Sequence, residues 1–352
     1  MNLNLTRLLG ENRTSEVETL HAVLASVDFS LTLALLSSLY HAPGTRGHPY
    51  HSPLTLLKIE LVKRFVEVEA YAEVYRRLQS SEEWRRVCGI GSVDEIPHPS
   101  TWSRFRKRVG AARLQLILGD LLRQLSSTGI CKASIIAADA TFIEAYSKRD
   151  PKNNTVGYSD PEARLRVEGR NVTLGYGVHL AVDVVKGLVV GFVVAPANRN
   201  EKRVLPHLLM RLIMAGFRVK TLIADTQYSS RVIRRLCSLW NIAAIIPYPK
   251  NHFKHVKGLL RVDRLFRAHG PREQVKLYHK RSANELSNSW LKGFYGLNQL
   301  QTRGLENATI HVTLCVMASY IIAIAALKHK RPDLIRSPTL PHQIYMQKLI
   351  LQ

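Results

Sequence analysis

The sequence predicts an α/β fold in which a five-stranded mixed sheet is flanked by helices and preceded by an all-α N-terminal region. Two observations support this prediction. Short apolar runs rich in small and β-branched residues, which are typical of buried strands, recur between residues 133 and 246. Segments with helical periodicity fill the first third of the chain and separate the later apolar runs. The predicted order in the second part is βββαβαβα.

The first three predicted strands follow one another without a helix. Ala133–Phe142 is an apolar run that contains a single acid, Asp139. Gly175–Val185 and Leu188–Ala195 are two further apolar runs, and the turn residue Gly187 lies between them. This spacing predicts a β-hairpin for the second and third strands.

Helices and strands alternate after the hairpin. A helix is predicted near Lys202–Ala215, and Gly216 is suited to end it because glycine tolerates the left-handed conformation there. The fourth strand is Val219–Asp225, which is apolar up to its final acid. A helix near Ser229–Trp240 and a fifth strand at Ile242–Ile246 complete the predicted sheet.

The N-terminal third is predicted to be a separate helical domain. Leu54–Leu78 mixes apolar and charged residues at helical spacing. The sequence Ser80-Ser81-Glu82-Glu83-Trp84 is typical of an N-cap followed by acids in the first turn, where they favour the helix dipole. Gly89–Pro99, which is rich in glycine and proline, then predicts a loop.

A basic helix is predicted after this loop, with Ser100 as its cap. Trp102 and Phe105 are expected to anchor one face in the core. The pattern resembles a helix-turn-helix with a basic recognition helix, and the alternative is a helical bundle with a solvated basic face. The residues predicted to face outward and to bind DNA are Arg104, Lys107 and Arg108.

Four polar residues near residue 285 have offsets of 0, 3, 7 and 14, which match one face of a helix. At 3.6 residues per turn they fall within a wedge of roughly 60°. One alternative is an ordinary solvated helix with intrahelical ion pairs, such as Arg281 with Glu285. The four residues are Tyr278, Arg281, Glu285 and Lys292.

Three acids in this order predict a cation site. A carboxylate in a buried strand is costly unless it is paired or holds a metal. Asp139 and Asp225 lie in or at the end of apolar strands, and Glu285 lies on the predicted helix. Mg²⁺ suits such a site because it prefers carboxylate oxygens and keeps several waters.

With these residues in place, the chain resembles the DDE transposases of prokaryotic insertion sequences that carry a Tyr-x2-Arg-x3-Glu-x6-Lys signature. That signature runs from Tyr278 to Lys292 with every spacing intact. The supporting stretches are Ala138–Thr141, Gly175–Asn198 and Ala224–Tyr228. The resemblance covers about residues 135 to 327 and implies a ribonuclease H-like core, with the first and fourth strands side by side.

The resemblance implies an enzyme that binds the ends of its element, cleaves DNA and transfers the strand. Asp139, Asp225 and Glu285 are expected to be catalytic and to hold two Mg²⁺ ions, or Mn²⁺ in their place, about 3.5–4 Å apart. Tyr278, Arg281 and Lys292 are expected to contact DNA phosphates beside the scissile bond.

The chain departs from the family pattern at three places. Asn200-Glu201 follows the Pro196-Ala197-Asn198 turn where relatives often have an acid a few residues further on, and Gln227 replaces a frequent glycine. The interval between Asp225 and Glu285 is too short for the β-rich insertion of some relatives. Pro247–Lys276 is predicted to be a basic loop instead.

The charge of the chain indicates a polyanionic partner. It has 352 residues, with 50 Lys and Arg against 27 Asp and Glu, for a formal net charge of +23. This surplus is difficult to explain for a small-molecule enzyme and favours nucleic acid. Charge alone leaves RNA and anionic membranes as alternatives. The resemblance selects double-stranded DNA, as terminal repeats and as target, and suggests a homodimer on DNA.

The predicted domains are 1–125 for the helical DNA-binding domain, 126–132 for a linker, 133–328 for the catalytic domain and 329–352 for a loosely ordered tail. The first residues lack a signal-peptide core, so the expected location is cytoplasmic and nucleoid-associated. The apolar run 312–327 is shorter than the ~20 residues of a membrane span. It is expected to be a buried helix beneath the sheet rather than a membrane segment.

Three other functions remain as alternatives. Tyr278 is the nucleophile if the protein is a tyrosine recombinase, although those enzymes do not need acids on strands. A DNA-binding regulator that keeps the fold needs no intact acid triad. A ribonuclease H-like nuclease without strand transfer has the same three acids, and only the joining of a DNA end to a second DNA distinguishes it.

Overall fold

A computed structural model of the protein describes residues 13–40, 51–66, 68, 70–248, 272–337 and 340. The chain forms two compact units. The helical unit holds the described residues up to Ser127, the segment Trp290–Gln301 and the described residues from Thr309 onward. The α/β unit holds the described residues of Thr128–Ser289 together with Thr302–Ala308.

Six helices of the described part lie before residue 128. They are α1 Arg13–Ala25, α2 Ser30–Ser37, α3 Pro53–Phe65, α4 Tyr71–Ser80, α5 Glu82–Cys88 and α6 Pro99–Ser127, with a 3₁₀ helix at Val93–Glu95 between α5 and α6. The single helical stretch predicted for Leu54–Leu78 is therefore two helices. The first ends because Val66 leaves helical geometry, at φ −102° and ψ 7°.

Capping explains where α5 begins and ends. The Ser81 hydroxyl accepts a hydrogen bond from the backbone N–H of Trp84 at 3.3 Å, which confirms the predicted N-cap. Gly89 ends the helix in the left-handed conformation, at φ 75°.

The predicted cap of α6 is wrong by two residues. The helix begins at Pro99. Proline lacks a backbone N–H, but the N–H groups of the first turn have no partner within the helix in any case. The ring Nδ1 of His98 accepts the backbone N–H of Ser100 at 3.3 Å, so the histidine takes the capping role. Gly110, at φ 66°, kinks the helix near its middle. Trp102 and Phe105 are buried as predicted.

The helix α11 is Leu305–Lys328. With 24 residues it extends beyond both ends of the predicted 16-residue apolar run. Among the described helices it is the one that by itself is long and apolar enough to cross a membrane, and 89% of its apolar window is buried. In the helical unit, His311 on α11 lies 3.2 Å from the guanidinium of Arg64 and 3.0 Å from the carbonyl oxygen of Leu297. Its residues from Thr309 onward belong to this unit and not to the unit with the sheet.

The α/β unit contains one mixed sheet. Its strands are β1 Ile135–Glu144, β2 Arg164–Glu168, β3 Asn171–Asp183, β4 Leu188–Pro196, β5 Thr221–Ala224 and β6 Ala243–Ile245. β1 pairs antiparallel with β3 and parallel with β5, and β5 pairs parallel with β6. β4 pairs antiparallel with β3. This order confirms the predicted ribonuclease H-like core with the first and fourth predicted strands side by side.

The sheet has six described strands rather than the five predicted. The additional strand, β2, pairs with Asn171–Gly175, so the hairpin extends β3 by several residues on its N-terminal side. Arg164-Leu-Arg-Val-Glu168 alternates polar and apolar residues, and Gly169 at φ 60° supplies the turn. Alternation over five residues is the weaker strand signal, since it lacks the continuous apolar run of the other strands.

Four helices of the described part lie between residues 201 and 294. They are α7 Glu201–Met214, α8 Arg231–Leu239, α9 Arg272–His279 and α10 Ser282–Phe294, and a 3₁₀ turn occupies Thr226–Tyr228. The first two helices are close to their predicted positions, whereas two helices replace the single helix predicted over Tyr278–Lys292, and the first of these begins inside the predicted basic loop. α7 packs on β3 and β4, and α9 packs on β5 and β6. Residues 249–271 of the predicted basic loop lie outside the described part, and the residues after them begin α9.

The compact units differ from the predicted domain limits. α6 continues to Ser127, inside the predicted linker of 126–132. The segment from Thr309 to the end of α11 groups with the helical unit, whereas the sequence assigned it to the catalytic domain. The limits of the functional domains stay predictions, and most of the predicted tail after residue 337 lies outside the described part.

Gly175 is required by the close approach of β1 and β3. A Cβ at this position would overlap the backbone carbonyl oxygen of Ile143. We expect Gly175→Ala to lower the free energy of unfolding by on the order of 3 kcal/mol, since backbone cannot move aside as a side chain does. Gly177→Ala is the matched control, because its Cβ would meet only ordinary contacts of 3.4 Å and beyond. Equal stability of the two variants in urea would contradict this packing.

His179 is a buried core histidine on β3, and its Nδ1 lies 3.4 Å from the hydroxyl of Tyr228. Burial, with a smaller contribution from Arg166, lowers the pKa of His179 to about 4. The unfolded histidine titrates near 6.5, so the unfolded state binds more protons between these values. Stability is therefore full above pH 6.5 and falls as pH drops towards 4.

We expect His179→Gln to reduce this acid sensitivity. The wild type should lose up to about 3 kcal/mol more stability than the variant between pH 7 and pH 4, because the variant has no proton to bind at this position. Urea unfolding of both proteins across this range measures the difference. Parallel losses in the two proteins would show that His179 is not kept neutral by the fold.

Candidate active site

The parallel pairing of β1 with β5 places two acids side by side. Ala138 and Ala224 are register partners in this pair, and Asp139 and Asp225 are the next residues on each strand. Neighbouring strands are about 4.8 Å apart. The sheet therefore brings together two acids that are far apart in the sequence.

Asp225 also fixes the turn that follows it. Its backbone is extended, at φ −78° and ψ 178°, and its Oδ1 accepts the backbone N–H of Gln227 at 2.8 Å. The chain then makes the 3₁₀ turn, whose last residue, Tyr228, is buried. One carboxylate oxygen is thus engaged as a helix cap.

The predicted helix that carries Glu285 is broken. α9 ends at His279 and α10 begins at Ser282, with Lys280 and Arg281 in a turn between them. Lys280 and Arg281 donate their backbone N–H groups to carbonyls three residues earlier, at 3.0 Å each. Hydrogen bonds to the residue three positions earlier make a tighter turn than an α-helix has. The prediction that the four signature residues share one helical face is therefore wrong.

Arg281 joins two of the three acids. Its Nη1 lies 3.5 Å from Oδ2 of Asp139, and its Nη2 donates to Oε1 of Glu285 at 3.0 Å. The ion pair expected between Arg281 and Glu285 is therefore present. The exposed fraction is 19% for the Asp139 side chain and 62% for that of Glu285, so the guanidinium links an inner acid to an outer one.

The electrostatics of Asp139 show a crowded group of carboxylates. Burial raises the pKa of Asp139 above its ordinary value. The charges of Asp225 and Glu285 raise this pKa further, while the backbone N–H of Ala140 and the Arg281 guanidinium oppose the increase. A single guanidinium thus leaves uncompensated negative charge around Asp139.

The other two signature residues lie on the helices before and after the turn. Tyr278, on α9, is half-buried and packs against the apolar cluster of Ala137, Ile223 and Ile245. Lys292 is half-buried on α10, two turns after Glu285. The predicted phosphate contacts of both residues stay predictions.

The donor set suits a hard divalent cation. Asp139, Asp225 and Glu285 offer carboxylate oxygens, which Mg²⁺ prefers. Burial raises the pKa of Asp139, the neighbouring acids add to the increase, and a cation would offset both effects. Within the described residues, no three His, Cys, Asp or Glu side chains already have the spacing of a metal site. In the structure the Arg281 guanidinium contacts two of these acids, Asp139 and Glu285.

A fourth acid, Glu201, lies close to the same group. Burial raises the pKa of Glu201, and the charges of Asp225 and Asp139 add to the effect. With the Gln227 amide nitrogen facing it, that nitrogen lies 2.6 and 2.9 Å from the two Glu201 oxygens. Both residues belong to the departures from the family pattern, and the sequence alone predicts no role for either. Only the fold brings them into contact.

Arg104, Lys107 and Arg108 on α6 are exposed as predicted, whereas Arg106 is buried. Arg104 donates from Nη2 to the Ser100 hydroxyl at 3.2 Å, and Arg108 lies over the ring of Tyr40, 4.7 Å from its centroid. Lys107 lies between them on the same helix. DNA binding by these residues stays a prediction.

Two families match the chain. Transposase DDE domain matches residues 130–321, which include the three acids and the α/β unit. Transposase domain (DUF772) matches residues 9–108 in the helical unit. No curated protein matches the chain significantly.

Comparison with solved structures finds transposase complexes. A piggyBac transposase synaptic complex with hairpin DNA has a TM-score of 0.48 at 9% identity, over 98% of this chain and 83% of that chain. A Mos1 transposase paired-end complex with the left transposon end has a TM-score of 0.22 at 12% identity, over 71% and 79%. A pre-cleavage Mos1 transpososome also has a TM-score of 0.22, at 10% identity, over 81% and 82%.

The match to Transposase DDE domain covers more than half of the chain and contains the whole sheet. The second match is also to a transposase domain and covers most of the N-terminal helices. The chain therefore belongs to the transposase DDE family, and it is a transposase with a ribonuclease H-like catalytic core.

Proposed function

We propose that this transposase cleaves DNA at the ends of an insertion sequence and joins the freed end to a target, with Asp139, Asp225 and Glu285 as its catalytic acids. The observation that carries the proposal is the arrangement of the three acids: two lie side by side on parallel strands, and Arg281 connects one of them to the third. The intact spacing of the Tyr278–Lys292 signature supports the same subgroup of transposases.

The three acids would hold two divalent cations, Mg²⁺ or Mn²⁺. Cations bound there would activate the attacking oxygen and stabilise the leaving oxygen of an in-line displacement. Asp139 supplies the inner, less exposed carboxylate and Glu285 the outer, more exposed one. Asp225 has one oxygen in the turn and a second oxygen for the site.

Arg281 maintains the site before substrate arrives. Its guanidinium offsets part of the repulsion between Asp139 and Glu285 and keeps Glu285 turned towards the strands. With DNA present, the same group suits a phosphate oxygen, since guanidinium binds phosphate as well as carboxylate. Lys292 and the Tyr278 hydroxyl are proposed to contact phosphates on either side of the scissile bond.

The reaction needs two successive displacements at phosphorus. Water attacks the phosphodiester at the element end, a P–O bond forms as the P–O3′ bond breaks, and the 3′-oxygen leaves as a hydroxyl. That hydroxyl then attacks a phosphodiester of the target, with one bond again made for one broken. Since the bond count is conserved in the second step, strand transfer requires no external energy source.

The partner in this proposal is double-stranded DNA, both as terminal repeats and as target. The net charge of +23 supports binding that depends mainly on phosphate contacts and falls with salt. A homodimer on DNA follows from the need to act on two ends. A cytoplasmic, nucleoid-associated location is part of the same proposal.

Loss of any of the three acids should abolish chemistry and keep DNA binding. We expect Asp139→Asn, Asp225→Asn and Glu285→Gln each to lower cleavage and joining of a labelled element end by at least about 10³-fold in Mg²⁺, because the metal ligands are lost. Gel shift of the same duplex measures binding, and EDTA should reproduce the loss in the wild type.

The matched control is Glu144→Gln, which removes an exposed acid from the far end of β1. This variant should cleave and join as the wild type does. Binding without cleavage by the wild type in any metal would favour the DNA-binding regulator, and cleavage without joining would favour the nuclease.

Lys107 tests the DNA-binding face of α6. We expect Lys107→Ala to weaken binding about equally for all duplex sequences and to reduce the slope of log K against log salt by about 1, the change for one lost phosphate contact. The control is Arg123→Gln on the same helix, whose partner in the structure is Asp120. An unchanged salt slope for Lys107→Ala would favour the helical bundle with a solvated basic face.

A further inference from the structure

Glu201 and Gln227 lie next to the proposed catalytic acids, and the proposed reaction does not use either side chain. Glu201 is the first residue of α7, after Asn200, whose side chain caps the helix by accepting the Lys202 N–H at 2.9 Å. Gln227 is the middle residue of the 3₁₀ turn that follows Asp225. α7 packs against this turn.

Gln227 is bonded to both acids at once. Its backbone N–H donates to Oδ1 of Asp225 at 2.8 Å. With the amide turned so that its nitrogen faces Glu201, the orientation that satisfies both of its polar atoms, that nitrogen lies 2.6 and 2.9 Å from the two oxygens of Glu201. A single residue thus connects the carboxylate at the end of β5 to a carboxylate on a helix that is packed on the sheet.

We infer that Glu201 is a positioning residue for the proposed reaction: by holding the Gln227 side chain, it fixes the turn and thereby the carboxylate of Asp225. This inference rests on the proposed role of Asp225. The turn is three residues long, and it is also held by the Asp225 carboxylate, which accepts the Gln227 N–H, and by the contact between Tyr228 and His179. The Glu201 contact, at Gln227, is one residue nearer to Asp225 than the contact at Tyr228 is.

The cost of keeping Glu201 there supports a role. Its carboxylate is half-buried beside two like charges, and these conditions raise its pKa. A hydrogen bond from an amide to a carboxylate is stronger than one between neutral groups and offsets this cost. An acid whose only role was to favour the dipole at the N-terminus of α7 would be solvated. It would not need a hydrogen bond from the Gln227 amide.

The competing interpretation is that Glu201 acts through its own charge, as a further ligand for the cation. Three substitutions separate the two roles. Glu201→Ala removes both charge and bond. Glu201→Gln removes the charge and keeps an oxygen to accept the Gln227 amide. The double variant Glu201→Gln with Gln227→Glu keeps the amide–carboxylate pair and exchanges its ends.

Hydrogen exchange of the full-length protein tests the positioning directly, without metal or DNA. We expect amide exchange in the peptide covering 225–228 to be about tenfold faster in Glu201→Ala than in the wild type, because the side-chain bond that holds the turn is lost. Glu201→Gln and the double variant should exchange as the wild type does. Arg203→Ala, an exposed change two residues further along α7, is the control and should leave this peptide unchanged.

Mn²⁺ binding, followed by electron paramagnetic resonance, is the second readout. Loss of a group that orients a metal ligand weakens binding about tenfold or more, so Glu201→Ala should show this loss while the other two variants bind as the wild type does. Unchanged exchange and unchanged Mn²⁺ affinity in Glu201→Ala would overturn the inference. Equal damage in all three variants would also overturn it, in favour of a direct role for the Glu201 charge.

The two readouts keep this inference separate from the proposed function. The amide exchange rate of residues 225–228 should depend on the Glu201 side chain whether or not the wild type cleaves DNA. A wild type that binds Mn²⁺ but does not cleave would contradict the proposed reaction and leave the positioning result standing.

Discussion

The parallel pairing of β1 with β5 is the interaction on which the candidate site depends. It is the one contact that places Asp139 and Asp225 next to each other, because Ala138 and Ala224 are paired immediately before them. The apolar residues of both strands stabilise the pairing through burial, with Ala137 and Ile223 fully inaccessible to solvent. The burial that stabilises the sheet also raises the pKa of Asp139, because it disfavours the charged carboxylate. Positive charge beside Asp139 would stabilise the charged form.

The Arg281 guanidinium supplies part of this positive charge. A guanidinium between Asp139 and Glu285 holds the outer acid near the strands, although Glu285 is mostly exposed. The turn at Lys280 and Arg281 makes this possible, since it separates α9, whose Tyr278 packs on the sheet, from α10, which carries Glu285. The helical break is therefore a part of how the site is built.

The sequence predicted the parts of this structure that depend on local pattern. Continuous apolar runs identified β1, β3, β4 and β5, and the acids within or after them identified two of the three candidate ligands. The spacing of Tyr278, Arg281, Glu285 and Lys292 located the third. The ion pair of Arg281 with Glu285 follows from a separation of four residues and is present.

The sequence could not predict features that depend on tertiary contacts. The spacing of the four signature residues is compatible with one helix. Only the packing of α9 on β5 and β6 shows why the chain turns between Tyr278 and Glu285. The contact of Gln227 with Glu201 joins residues from two elements that meet only in the folded unit. Likewise, β2 needs β3 as a partner, since its alternating residues do not form a buried run.

A crystal structure with Mn²⁺ and an element-end duplex, with manganese located by anomalous scattering, tests the central claim most directly. The account predicts manganese about 2.2 Å from carboxylate oxygens of Asp139, Asp225 and Glu285, with the Arg281 guanidinium moved from between the acids to a phosphate. Manganese bound elsewhere, with Arg281 still between Asp139 and Glu285, would contradict it.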